Sequence, residues 1–150
     1  MANTTFNSLT LKNFISVAVL VMLSSFTQAS TVRCDKFPQN PHQSKFEPNR
    51  VKVKMGYVCQ PSTNKVTLTV ELYLQRKVAI GFWSTVGTSG PQSRVLHTKE
   101  VRWNPNTLSA KAPCIDGEYR AKLKRNAVSA EGIVLGGGVD VFQSVEVVCR

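Results

Sequence analysis

The chain has 150 residues, a length that holds one ordinary domain and excludes a second domain of usual size. Lysine and arginine number 19 against 9 aspartates and glutamates, which gives a formal net charge of +10. The hydrophobic content of 42% excludes a disordered basic tail, because such tails lack the apolar residues that form a core. We therefore expect one folded, cationic domain.

Residues 1–29 have the layout of a secretory signal peptide. A single charge, Lys12, precedes an apolar run at 14–26, which is shorter than the roughly 20 residues of a membrane-spanning helix. Thr27 and Ala29 are the small side chains that signal peptidase requires, so cleavage is expected after Ala29, with an uncleaved anchor as the alternative. The sequence thus predicts a secreted protein, extracellular or periplasmic, with a mature domain at 30–150 and no transmembrane segment.

The mature chain is expected to begin with an irregular arm at 30–50, because this stretch contains three prolines among polar residues. Residues 51–59 then alternate between apolar and polar side chains, which predicts a strand with one buried face. Lys52 and Lys54 belong to the polar positions and are expected to point outward.

A second alternating strand is predicted at 66–74, and the turn residues before it suggest a hairpin with the first strand. The apolar run 78–83 fits a short buried strand, with Trp83 as a candidate core tryptophan. A less regular strand at 94–103 is expected at a sheet edge.

The last two predicted strands, 119–125 and 139–149, are expected to form an antiparallel hairpin. Between them lies the glycine-rich segment 132–138, which fits a hairpin loop or a bulge. It does not fit a phosphate-binding loop, because the Lys-Ser/Thr ending and the following helix are both absent from the sequence pattern.

Six or seven strands without a credible helix predict an all-β fold, an antiparallel β-sandwich that is immunoglobulin-like in a broad sense, with a small β-barrel as the alternative. Segment 116–119 resembles the tyrosine corner of immunoglobulin domains, in which a tyrosine hydroxyl fixes the loop entering a strand. The resemblance implies this role for Tyr119. Ala121 stands where those domains have a cysteine, so the likeness is confined to the corner and assigns no family.

The four cysteines all follow the predicted cleavage site, and an even number in a small exported domain predicts two disulfides. Zinc is disfavoured, because the cysteine gaps of 25, 55 and 35 positions are too long and only His42 and His97 accompany them. No metal or cofactor is expected. The cysteines are Cys34, Cys59, Cys114 and Cys149.

Three disulfide connectivities are possible, and the predicted strands favour one of them. In the hairpin of 119–125 with 139–149, the start of the first strand lies beside the end of the last, so Cys114 faces Cys149. By elimination Cys34 pairs with Cys59. Pairing of Cys59 with Cys149 across two sheets is the alternative.

A basic segment at 120–125 is the most specific chemical feature. Strand alternation places Arg120, Lys122 and Lys124 in one outward row that can meet sulfate, phosphate or carboxylate groups. Together with Lys52 and Lys54, this row is predicted to form an anion-binding basic face. A plain solvated surface that prevents aggregation is the competing interpretation.

The sequence therefore favours a non-enzymatic, cationic binding protein for anionic polysaccharide, envelope surfaces or an acidic protein. Nucleic acid is an unlikely partner, because export separates the two and the basic run lacks interleaved aromatic residues. A protein-binding inhibitor or effector that uses the segment from Gly132 through Gly138 is the alternative. A small secreted hydrolase comes third, since His97 is the only histidine of the strand region and no nucleophile accompanies it.

Overall fold

The computed structural model describes residues 32–150, so the predicted signal peptide at 1–29 lies outside the described residues. All secondary-structure elements in this range are β-strands. The range therefore contains no helix long and apolar enough to cross a membrane. The strands are β1 (Cys34–Pro38), β2 (His42–Gln43), β3 (Arg50–Cys59), β4 (Val66–Ala79), β5 (Phe82–Thr88), β6 (Gln92–Leu96), β7 (Val101–Trp103), β8 (Ser109–Pro113), β9 (Gly117–Ser129), β10 (Val134–Val141) and β11 (Val145–Val147).

The strands form two antiparallel sheets. In the first sheet, β3 lies in the centre, with β1 and β2 along one side and β7 and β8 along the other. In the second sheet the order is β10-β9-β4-β5, with β11 extending the β10 edge and β6 extending the β5 edge. No strand pairing joins the two sheets within 32–150, which confirms the sandwich rather than the closed barrel.

The core lies between the sheets, on the inward faces of β3, β4 and β9. Successive side chains of a strand point to opposite faces, so every second residue of these strands is buried. The core tryptophan is Trp103, which is 1% exposed and packs on Tyr57 with ring centroids 5.4 Å apart. The sequence prediction of Trp83 in this role is wrong, because Trp83 lies half-buried on the outer face of the second sheet.

The predicted hairpin of 51–59 with 66–74 is also wrong. Both strands exist with the expected alternation, but β3 belongs to the first sheet and β4 to the second. The connection at 60–65 therefore crosses between the sheets, and β4 pairs instead with β9, β5 and β6.

Two further predicted strands differ from those observed. The strand expected at 94–103 is divided: β6 ends at Leu96 in the second sheet, and β7 begins at Val101 in the first. The run 78–83 is not a buried strand but the tip of the β4–β5 hairpin, and its most exposed member, Ile80, is 94% accessible. Tight pairing of Ala79 with Phe82 forces the chain to reverse at this point.

The N-terminal arm is more regular than the prolines indicate. β1 pairs with the second half of β3 and β2 with its first half, so the arm covers one side of the central strand. The prolines are accommodated because Pro38 ends β1 and Pro41 precedes β2.

Both disulfides of the favoured connectivity are confirmed: Cys34–Cys59 and Cys114–Cys149. Cys34 and Cys59 are directly opposite partners on β1 and β3. Cys114 precedes β9 and Cys149 follows β11, which pairs antiparallel with the start of β9. The expected hairpin geometry thus accounts for the second bridge, and the alternative pairing of Cys59 with Cys149 is excluded.

The tyrosine corner suggested by the sequence is present. Tyr119 is 1% exposed, and its hydroxyl donates a 2.6 Å hydrogen bond to the carbonyl oxygen of Ile115. The bond ties the loop that follows β8 to the beginning of β9. It lies beside the Cys114–Cys149 bridge, so a hydrogen bond and a disulfide both hold this end of the sandwich.

Candidate anion-binding site

Arg120, Lys122 and Lys124 lie in one row on the outer face of the second sheet, and we refer to them as the cationic row. Their position follows from the alternation on β9, where the intervening Tyr119, Ala121 and Leu123 are buried in the core. Residues two apart on a strand are separated by about 7 Å, so the row spans about 14 Å. None of its three side chains takes part in a salt bridge with another described residue.

Arg120 is held in place by two neighbours on the same face. Its Nε donates a 2.9 Å hydrogen bond to Oε1 of Gln75, a side chain that is itself 6% exposed. Its guanidinium carbon lies 4.1 Å from the ring centroid of Trp83 on β5. A guanidinium stacked on an aromatic ring and bonded through Nε keeps its terminal nitrogens available to an incoming anion.

Lys122 and Lys124 stand opposite Tyr73 and Glu71 in the pairing of β9 with β4. The ammonium of Lys122 lies 6.0 Å from the ring of Tyr73, which is its register partner. Glu71 stands opposite Lys124, but its two carboxylate oxygens accept hydrogen bonds from the hydroxyls of Tyr73 (2.5 Å) and Thr88 (2.8 Å). The bond to Glu71 raises the pKa of the Tyr73 phenol. Glu71 forms no salt bridge with Lys122 or Lys124, although its negative charge remains opposite Lys124 on the same face.

A shallow depression of about 490 Å³ adjoins the end of the row. Lys124 forms one wall, Pro91 another, and the bare backbone of Gly137 and Gly138 on the edge strand β10 forms a third. The residue of β10 opposite Lys124 is Val139, while the missing side chain of Gly138 would point inward at Arg125. The row thus adjoins a recess that is also lined by Val139 and Glu71.

Lys52 and Lys54 do not join the cationic row. They occupy the outward positions of β3, whose inner face packs on the second sheet, so they lie on the opposite outer face of the sandwich. Lys52 is 9% exposed, with its ammonium 5.7 Å from the ring of Phe46. Lys54 donates a 2.7 Å hydrogen bond to Asn106. The predicted single basic face of all five residues is therefore wrong. The alternation of a strand shows which of its residues point outward, but it does not show to which of the two sheets the strand belongs.

Arg125, the last residue of the basic segment, points inward because it has the parity of the core residues. Its Nε lies 3.4 Å from Oδ2 of Asp140, whose other oxygen forms a 2.9 Å salt bridge with Lys36 of β1. A β-carbon at Gly138 would stand 3.1 Å from Arg125 Nε, so the glycine makes room for this side chain. The cluster links the two sheets across the β10 edge, and sequence analysis did not identify it.

A cavity of about 270 Å³ lies next to this cluster, between the sheets. The Tyr57 hydroxyl at its wall is buried and has no hydrogen-bond partner of acceptable geometry among residues 32–150. Burial raises the pKa of Tyr57, although the nearby Arg125 guanidinium acts in the opposite direction. Tyr57 is thus kept neutral far above physiological pH.

The remaining sequence candidates are dispersed. Of the segment 132–138, Val134 onward belongs to β10, with a bulge before Gly136, so the turn is confined to 130–133. The expected bulge is thus present, but most of the expected loop is strand. His97 is exposed in the turn between β6 and β7. Among residues 32–150 there is no cluster of three or more histidine, cysteine or acidic side chains that could hold a metal ion.

In comparisons of the whole sequence, neither a protein-family model nor a curated protein matches the chain.

Proposed function

We propose that the protein is a secreted, non-enzymatic binding protein that recognises anionic polysaccharide through the cationic row. The observation that carries the proposal is the arrangement of Arg120, Lys122 and Lys124: three cations at ladder spacing on one exposed face, without salt-bridge partners in the described chain. Unneutralised charge held at fixed spacing costs stability through mutual repulsion and is relieved when an anion binds.

A polymer fits this face better than a single small anion. Charges about 7 Å apart on a flat sheet can meet successive sulfate or carboxylate groups of an extended sugar chain. Tyr73 lies on the adjacent strand β4 and Trp83 on the next strand β5, and both present ring surface beside the cations. Aromatic faces pack against the apolar C–H face of sugar rings, while Arg120 supplies a planar fork that matches sulfate and carboxylate oxygens.

The predicted signal peptide and the two disulfides support an extracellular or periplasmic site of action. Disulfides form and persist in oxidising compartments, which are also where acidic polysaccharides of cell surfaces are found. A net charge of +10 steers the protein toward such surfaces at long range.

The proposal is tested by elution from immobilised heparin in a salt gradient. Lys122→Glu combined with Lys124→Glu should lower the affinity by about tenfold or more, because two adjacent attractive charges become repulsive. The matched control is Lys65→Glu with Lys99→Glu, which makes the same change of net charge at two exposed positions outside the row. This control should keep most of the affinity. Equal losses in both double variants, or retention that salt does not weaken, would contradict the proposal.

A further inference from the structure

We propose a second interaction surface: the tip of the β4–β5 hairpin, residues 78–82, docks on lipid membranes rich in anionic lipid by inserting its apolar side chains. This inference rests on the apolar tip, shares only Arg120 with the cationic row, and does not rest on polysaccharide binding. A protein partner at the same tip is the competing outcome of the test below.

The tip is apolar, exposed and projects from the sandwich. Val78, Ile80 and Phe82 are 57%, 94% and 69% accessible, and Ala79 and Gly81 between them carry no polar group. The last register pair of β4 with β9 joins Arg76 to Tyr119, so beyond this point the hairpin is a free two-stranded ribbon. No atom of residues 32–150 lies within 4 Å of the position that a β-carbon would take at Gly81, so the turn stands clear of the rest of the described chain.

The base of the ribbon has the composition of a membrane interface. Arg76 and Lys77 lie in β4 where the ribbon leaves the sheet, and Arg120 lies over Trp83, which is the register partner of Lys77. Glu118 accepts a 2.6 Å bond from Lys77, and Glu146 is the register partner of Glu118. These three cations outnumber the two carboxylates, so the collar is positive, and tryptophan prefers the headgroup level between water and hydrocarbon.

The dimensions match an interfacial insertion. Ile80 lies three residues beyond Lys77, which corresponds to about 10 Å at the rise of a β-strand. Apolar side chains of peripheral proteins enter a bilayer by about 5–10 Å, so the tip reaches the acyl boundary while Lys77 stays with the phosphates. Lys122, paired with Tyr73, stands about 13 Å behind Lys77 and lies above the headgroups.

The small size of the tip favours lipid over a folded protein partner. A specific protein interface buries about 800 Å² on each side, which the side chains of a five-residue turn cannot supply alone. A bilayer needs no shape complementarity, only apolar groups that penetrate and cations that meet its headgroups. The charge of the collar selects an anionic surface.

The experiment measures binding to vesicles of phosphatidylglycerol mixed with phosphatidylcholine, by co-sedimentation, with pure phosphatidylcholine vesicles as the neutral comparison. The wild-type protein should bind the anionic vesicles, and Ile80→Asp should weaken binding by about tenfold or more, because a charge replaces a buried aliphatic group. Ile133→Asp is the matched control: Ile133 is 63% exposed in the turn at the other end of β9. It should bind like the wild type.

Docking through the tip is detected separately by quenching of tryptophan fluorescence with lipids spin-labelled at the headgroup, the level at which Trp83 lies beside Lys77. Trp83 should be quenched, the buried Trp103 should not, and Trp83→Phe should remove the effect. Lys122→Glu with Lys124→Glu should keep this quenching at lipid saturation. The proposal is overturned by absence of vesicle binding, by equal effects of the two isoleucine variants, or by binding without quenching of Trp83. Loss of binding in the lysine double variant while Ile80→Asp still binds would also overturn it.

Discussion

Removal of a single hydroxyl should have opposite consequences at two buried tyrosines. Tyr119 and Tyr57 are 1% and 0% exposed, so replacement by phenylalanine deletes the same atom from equally buried sites. The Tyr119 hydroxyl donates a 2.6 Å hydrogen bond to the Ile115 carbonyl, whereas the Tyr57 hydroxyl has no partner of acceptable geometry within residues 32–150, although the Arg125 guanidinium lies near it. The comparison isolates the value of the tyrosine corner.

The magnitudes follow from what each change leaves behind. Tyr119→Phe removes the bond and leaves a carbonyl without its partner, which should lower the free energy of unfolding by about 1–3 kcal/mol. Tyr57→Phe removes a desolvated polar group that has no bond to lose, so it should change stability by less than about 0.5 kcal/mol or increase it. The ring packing of Tyr57 on Trp103 is preserved in phenylalanine.

Urea denaturation at neutral pH, with the disulfides intact, measures both changes. At the size of this domain, a loss of 1 kcal/mol corresponds to a fall in melting temperature of about 3–6 °C, which calorimetry resolves. Equal losses in the two variants, or a larger loss for Tyr57→Phe, would refute the role given to the corner bond.

Three other predictions concern the packing, the charges and the bridges. Gly87→Ala should cost about 1–3 kcal/mol in unfolding free energy, because its β-carbon would clash with the carbonyl oxygen of Lys111. Gly136→Ala should cost much less, because no atom of the described chain lies within 4 Å of its β-carbon position. The hydrogen bond from Lys77 lowers the pKa of Glu118 below its usual 4.5, so the pair stabilises the fold above that pH. This contribution is lost as the pH falls through the folded-state pKa. Glu118→Gln should therefore reduce the dependence of unfolding free energy on pH below about pH 5. Removing either disulfide by paired alanines should cost about 3–4 kcal/mol, with the longer loop of 35 residues costing slightly more than that of 25, as measured by denaturation of each variant.

The sequence allowed the fold class, the disulfide pairing and the parity of the long strands to be predicted. Alternation on 66–74 and 119–124 is strict, and the outward placement of Lys122 and Lys124 follows directly from it. The Cys114–Cys149 bridge followed because an antiparallel hairpin brings its outer ends together, and Cys34–Cys59 followed by elimination. These features depend on local pattern, which a single sequence contains.

Strand partners could not be predicted from the same pattern. The alternation of β3 is compatible with a hairpin to β4, yet β4 crosses to the other sheet, and this places Lys52 and Lys54 on the opposite side from the cationic row. The choice depends on contacts between residues far apart in the chain, which alternation does not encode. The same limit explains why Trp83 was placed in the core instead of Trp103.

The hairpin tip has another cause. An apolar run of six residues normally indicates burial, and the hydropathy of 78–83 gives no sign that it lies beyond the sheet it belongs to. Gly81, with a φ of 78°, is the local signal of the reversal, because a left-handed backbone favours glycine. Because the turn at 80–81 carries the apolar run beyond the sheet, the run is a candidate binding surface and not part of the core.

The central claim is that the outer face of the second sheet, and not that of the first, receives an acidic sugar chain. NMR titration of the isotopically labelled protein with a sulfated heparin hexasaccharide tests it most directly. We predict that the amide shifts cluster on the cationic row and its aromatic neighbours Tyr73 and Trp83. Shifts concentrated around Lys52 and Lys54, or scattered over both faces, would contradict the claim.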